Sequence, residues 1–105
     1  MVIVELHLKV APEKRFSVLK TIHGMTGPTS AQSGCQLCEL YSNTQNDDDL
    51  ILLQKWDSQE SLEEHFRSDE FRKILAVMDN ASEPPEIFFN KVGTIEDFGM
   101  VEKVL

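Results

Sequence analysis

The sequence predicts an α+β domain with the split β-α-β-β-α-β order of ferredoxin-like folds and an antiparallel sheet. Residues 2–10 place an apolar side chain at every second position, the period of a half-buried strand. Two regions with helical spacing of apolar residues, after Pro12 and after Trp56, each separate strand-like segments. Between the second and third strand-like runs lies only a polar loop, the mark of a hairpin. The 105 residues suit one domain, read as 1–105 with 94–105 as a C-terminal strand or arm.

The first strand puts Val2, Val4, Leu6, Leu8 and Val10 on one face and Ile3, Glu5, His7 and Lys9 on the other. Pro12 suits a first helical position, where its missing N–H is not needed. The helix it opens repeats Phe16, Leu19 and His23 on one face, with Val18, Ile22 and Met25 adjoining. Gly24, Gly27 and Pro28 are expected to kink or break it. A second strand runs from about Cys35 to Ser42, and NTQNDDD makes the hairpin loop. LILLQKW is nearly all apolar at first, so it is predicted as a central strand covered on both faces.

Asp57 is expected to cap the next helix, with Glu60 three residues on completing a capping box. Ser68 or Asp69 caps the helix after it, whose core face is Phe71, Ile74, Leu75 and Met78. Pro84 and Pro85 end the helical region, EIFFNKV forms a fourth strand, and GMVEKVL forms a short fifth strand or an arm. Helices then cover one sheet face. The other face also carries apolar residues, and in so small a chain the predicted cover is a second copy, a symmetric homodimer.

Composition narrows the functional classes. Apolar residues make up 41% and charged residues 27%, the balance of a globular chain. Ten basic residues scattered among eighteen acidic ones give a net charge of −8, which argues against a nucleic-acid partner. No apolar run reaches the roughly 20 residues of a membrane helix. The N-terminus MVIVELHLKV lacks a basic flank and a small-residue cleavage site, so the chain is read as cytoplasmic.

Cys35 and Cys38 form a CxxC, a spacing used in redox and metal chemistry. On a regular strand, however, residues three apart point to opposite faces, and no second CxxC or HxxxH supplies further ligands. Two separately packed thiols are expected. The run Asp47–Asp49 lacks the ligand spacing and glycine of a calcium loop and reads as a solvated turn.

The densest information lies in WDSQESLEEHFRSDEF, from Trp56 to Phe71, where a strand ends in the chain's single Trp and two capped helices follow. Together with VELHLKVAPEKR, SGCQLCELY, LILLQKW and EPPEIFF, this run resembles the antibiotic biosynthesis monooxygenase domain family. The resemblance spans nearly the whole chain. It implies ferredoxin-like monomers that pair through their sheets as a dimeric α/β barrel, each keeping a cleft between sheet and helices. Activities in the family are diverse. They include cofactor-independent oxygenation of phenols and quinols, haem degradation, and isomerisation of a signalling sugar derivative.

Members of the haem-degrading branch carry an Asn on the first strand, a Trp on the helix after strand three and a His on the following helix. The matching positions here hold Leu6, His65 and Leu75, and Leu75 cannot ligate iron. Haem degradation by that route is therefore not implied. No GxGxxG or metal-ligand cluster appears either, so no cofactor is expected.

An oxygenase without a cofactor needs a substrate that can itself pass an electron to oxygen, as a deprotonated quinol can. The protein must then supply a base, a dry cavity and a donor for the oxyanion. His65 is the candidate catalytic base, three residues after Leu62 on the same helix side. Its bland alternative is a structural imidazole bonded near the helix end. Leu6, Trp56, Phe66 and Leu75 are the candidate substrate-lining residues, although Trp56 reads at least as well as a core plug. His7 is expected on the sheet face away from the cleft, His23 on the surface, and Tyr41 as packing or as a phenol donor.

The sequence thus predicts a monooxygenase of an aromatic quinol or phenol, with molecular oxygen as co-substrate. A non-catalytic small-molecule-binding or stress-associated dimer, and a haem-binding protein, are the alternatives.

Overall fold

The computed structural model describes residues 1–105. In chain order its elements are β1 (Val2–Lys9), α1 (Pro12–Ser30), β2 (Cys35–Asn43), β3 (Asn46–Trp56), α2 (Gln59–Phe66), α3 (Asp69–Asp79), β4 (Glu86–Lys91) and α4 (Gly99–Glu102). The strands form one antiparallel sheet of order β2-β3-β1-β4, the predicted ferredoxin-like topology. No helix is long and apolar enough to cross a membrane.

The alternation of β1 does what its period requires. Val2, Val4, Leu6, Leu8 and Val10 are buried. Paired with β3 from Val2↔Trp56 to Lys9↔Asp49, they share the helix-covered face with Leu50, Leu52, Gln54 and Trp56. Burying each such aliphatic side chain contributes on the order of 2 kcal/mol before the entropy of ordering is subtracted. In the single chain the second face, with Ile3, Ile51 and Leu53, is only half-buried.

Helix α1 does not break. It runs unbroken to Ser30 with Pro28 inside it. The ring of Pro28 crowds the carbonyl of residue i−4, here Gly24, at the very end of the helix. Only two residues of helix follow Pro28, so few hydrogen bonds are at stake. The buried stripe is Val18, Ile22, Met25 and Thr29, rotated from the predicted one, and Phe16 is 80% exposed.

The hairpin is tighter than its composition suggests. Asn46 to Asp49 belong to β3, and the turn is held by the Asn43 side chain, which accepts from the backbone N–H of Gln45. Ser58, not Asp57, caps α2, accepting from Ser61 N–H at 3.2 Å. Ser68 caps α3. On α3 the core residues are Ile74 and Val77, with Phe71 and Met78 half-buried. Leu75, predicted on that face, is 46% exposed. Residues 99–105 form no strand; their one regular element is the helical turn α4.

Candidate functional site

A turn made by glycine sets up the Trp56 corner. Gly34 has φ +83°, the left-handed region that suits only a residue without Cβ. A Cβ there would collide with Ser61 and with the Asp57 carboxylate. The Gly34 carbonyl accepts the Asp57 N–H at 2.8 Å, tying the start of β2 to the end of β3.

Immediately after it, β2 bulges. Cys35 pairs with Trp56 and Leu37 with Lys55, so Gln36 is the extra residue. The bulge restores the phase so that Cys38 pairs with Gln54, and both cysteines lie on the helix-covered face. This corrects the expectation of opposite faces, because a bulge cannot be seen in regular alternation. The thiols remain free and separately partnered. Burial pushes Cys35 up and Cys38 up to about 11, so neither is a thiolate at neutral pH.

Trp56 is fully buried at the end of β3, with Val2, Val4 and Leu62 around it. His65 lies on it as a stacked pair, ring centroids 4.7 Å apart and planes 29° apart, and meets Phe71 edge-on at 5.5 Å. The imidazole is 1% exposed. Its Nδ1 lies 2.8 Å from Gln32 Oε1, while Gln32 Nε2 donates to Glu70 at 3.1 Å. That second bond orients the Gln32 amide, so His65 carries its proton on Nδ1 and leaves a lone pair on Nε2. Nε2 is buried without a partner. Burial drives the His65 pKa down to about 4 against a smaller opposing pull from Glu70, so the ring is neutral at pH 7.

Beside this stack, between the sheet and α2–α3, lies a cleft. Val4, Leu6, Leu52, Gln54, Phe66, Phe71, Ile74, Ile87 and Phe89 line it. Its free volume is about 10 Å³, room for one water at most. Outside lies a groove of about 230 Å³. The two spaces share two walls, Phe66 and Phe89, whose ring centroids are 5.8 Å apart. Both rings are part-exposed and stand between the cleft and the groove.

Of the predicted site residues, Leu6 and Phe66 therefore line the cleft. Trp56 and His65 lie behind it, His65 bordering instead a polar hollow with Gln32, Ser33, Glu60, Ser61, Glu64 and Ser68. Leu75 is not among the lining residues. Tyr41 is on the opposite sheet face, donating to Glu39, and His7 is there too, edge-on to Phe88 at 5.5 Å.

The residue that pattern reasoning passed over is Gln54. It is 3% exposed and is the single polar side chain in the cleft. Its signal was available: within LILLQKW it falls in phase with Leu50, Leu52 and Trp56, a polar residue on the core face.

The sequence profile described as antibiotic biosynthesis monooxygenase matches residues 1–77. The chain belongs to that family. A curated relative from Bacillus subtilis (strain 168), named "Putative monooxygenase YcnE", is 22% identical over 76 residues, covering 72% of this chain and 80% of the relative. A solved structure from Deinococcus radiodurans, described as a "putative antibiotic biosynthesis monooxygenase", superposes with a TM-score of 0.83. It is 16% identical and covers 92% of this chain and 97% of its own. A conserved protein from Methanosarcina mazei Go1 gives a TM-score of 0.80 at 25% identity, covering 86% and 90%. At such identities the structural likeness speaks to the fold.

Proposed function

We propose that the chain is a monooxygenase that acts on an aromatic quinol or phenol in the cleft between the sheet and α2–α3, without a bound cofactor. The observation that carries this reading is the cleft itself, apolar and aromatic on all sides but for the Gln54 amide. Such a lining suits a flat ring and excludes water from a reactive anion.

In this reading the Phe66 and Phe89 rings swing aside to admit substrate, and displacement of Phe71 exposes the imidazole behind it. His65 Nε2 accepts the hydroxyl proton. The anion passes an electron to oxygen, and the resulting radical pair combines at a ring carbon. The imidazolium returns its proton to the peroxide, and loss of water leaves a hydroxyquinone from a quinol or a quinone from a phenol, one oxygen atom in the product and the other in water. The substrate supplies all the electrons. Because His65 holds a proton weakly, the transfer is uphill unless a hydrogen-bond donor stabilises the phenolate as it forms.

The working form in this reading is a homodimer. Its support is the half-buried second sheet face and the apolar side chains beyond β4, among them Ile95, Phe98 and Met100, which lie exposed in the single chain. The partner's sheet and C-terminal segment are the natural cover.

One observation favours a second reading, a non-catalytic dimer that binds an apolar ligand in the same cleft. The His65 ring is packed between Trp56 and Phe71 as a structural imidazole would be. Oxygen uptake with a panel of hydroquinones, for wild type and His65→Ala, separates the two. Turnover lost in the variant supports the oxygenase. Equal rates remove His65 from the mechanism, and saturable ligand binding without product favours the binding protein.

A further inference from the structure

Gln54 sits where an apolar sheet position should hold an aliphatic side chain. It lies on central strand β3, between Val4 of β1 and Cys38 of β2, facing the helices. Burying an amide there is costly unless its hydrogen bonds are made. They are made only in part. The carbonyl Oε1 accepts the Trp56 Nε1–H at 3.0 Å. An indole nitrogen only donates, so this bond decides which way round the amide lies. The sole acceptor that Gln54 Nε2 reaches is the Cys38 sulfur, at 3.7 Å. A thiol sulfur is a weak acceptor, and an amide nitrogen carries two hydrogens. One N–H therefore has no protein acceptor in a cleft whose other eight lining residues are apolar.

We propose that Gln54 is the specificity-determining residue of this cleft, its free amide N–H selecting a flat apolar ring that carries a carbonyl or phenolate oxygen. The inference rests on the reading of the cleft as the substrate site, and it names what that site recognises. Trp56 acts on the ligand only through Gln54, as a positioning residue that holds the carbonyl end of the amide and so fixes which end carries the hydrogens. An oxygen that accepts this N–H supplies the acceptor that the protein does not. A ring without such an oxygen leaves the donor unmet. In an oxygenase the same N–H meets the phenolate as its charge develops, which is the donor that a weakly basic His65 requires.

The test uses the full-length protein and two small probes of like shape, 1-indanone, which bears a carbonyl, and indane, which does not. Both are titrated by NMR, following the methyl groups of Leu6, Leu52 and Ile74 and the side-chain amide protons of Gln54. Both probes are expected to perturb the methyls, and only 1-indanone to move one Gln54 amide proton downfield. In Gln54→Met, indanone is expected to bind about tenfold more weakly while indane changes by less than about twofold. Equal effects on both probes in Gln54→Met, or no selective amide shift in wild type, overturns the role of Gln54 and leaves the cleft as a binding site. If neither probe perturbs the methyls, the cleft reading falls and this inference with it. Should Gln54→Met fail to fold, the amide shift in wild type decides the matter alone.

Discussion

The His65 imidazole lies flat on the Trp56 indole, 4.7 Å between centroids, with its Nδ1 proton held by Gln32. The pairing joins the end of β3 to the C-terminal turn of α2 and makes this corner sensitive to acid. Burial lowers the His65 pKa from 6.5 to about 4, so between those values the unfolded chain binds the proton and the folded chain does not. Stability is therefore complete above about pH 6.5 and falls as the pH drops toward 4, by up to about 3 kcal/mol. Urea unfolding at stepped pH is expected to show this loss in wild type. In His65→Phe, which keeps the ring stack, the His65 share of the slope disappears. An unchanged slope in the variant contradicts the assignment.

Gly34→Ala should be among the most damaging single changes in the chain. It forces a left-handed backbone on a residue with a Cβ and drives that Cβ into Ser61. A loss above about 2 kcal/mol is expected in denaturant unfolding. Gly27→Ala, where a Cβ meets nothing within 4 Å and the site is helical, should be neutral or stabilising. Equal effects for the two variants would show that the turn tolerates rearrangement.

Phe66→Ala should join the outer groove to the inner cleft, since the Phe66 ring is a wall of both. Phe66 is part-exposed, so the stability cost should stay near 1 kcal/mol. Binding of an apolar fluorescent dye is expected to rise in this variant and not in Phe16→Ala, which removes a ring from the far surface of α1. No difference in dye binding between the two argues against Phe66 as the closure.

Deletion of residues 99–105 is expected to weaken self-association, because Met100, Val101, Val104 and Leu105 are exposed apolar residues that a single chain leaves uncovered. Sedimentation velocity at low concentration reads the effect directly. An unchanged coefficient in the truncated protein would mean that the tail takes no part in pairing.

The parts of the molecule governed by local period were legible in the sequence. The face assignment of β1, the strand-helix corner at Trp56 and a cap at Ser68 or Asp69 follow from spacing and cap chemistry, and the strand order follows from the element order. What escaped were events that break a period or offset a penalty at a distance. The Gln36 bulge brings Cys35 and Cys38 to one face, and α1 carries Pro28 within its last turn, where few hydrogen bonds are lost. A rotation of less than one residue decides whether Leu75 or Val77 faces the core, because both fit a helical stripe. At the site, Leu6 and Phe66 could be named from the sequence as candidate lining residues. Gln32 could not, since its role depends on a contact thirty-three residues away in sequence.

The proposed activity is oxygenation of an aromatic quinol. Its most direct test is incubation of the full chain with a dihydroxynaphthalene under isotopically labelled oxygen, followed by mass spectrometry of the product. A hydroxyquinone carrying one labelled oxygen atom is expected, formed faster than in a protein-free control and slowed in His65→Ala. Label appearing no faster with the protein than without it rules out oxygenation of this quinol.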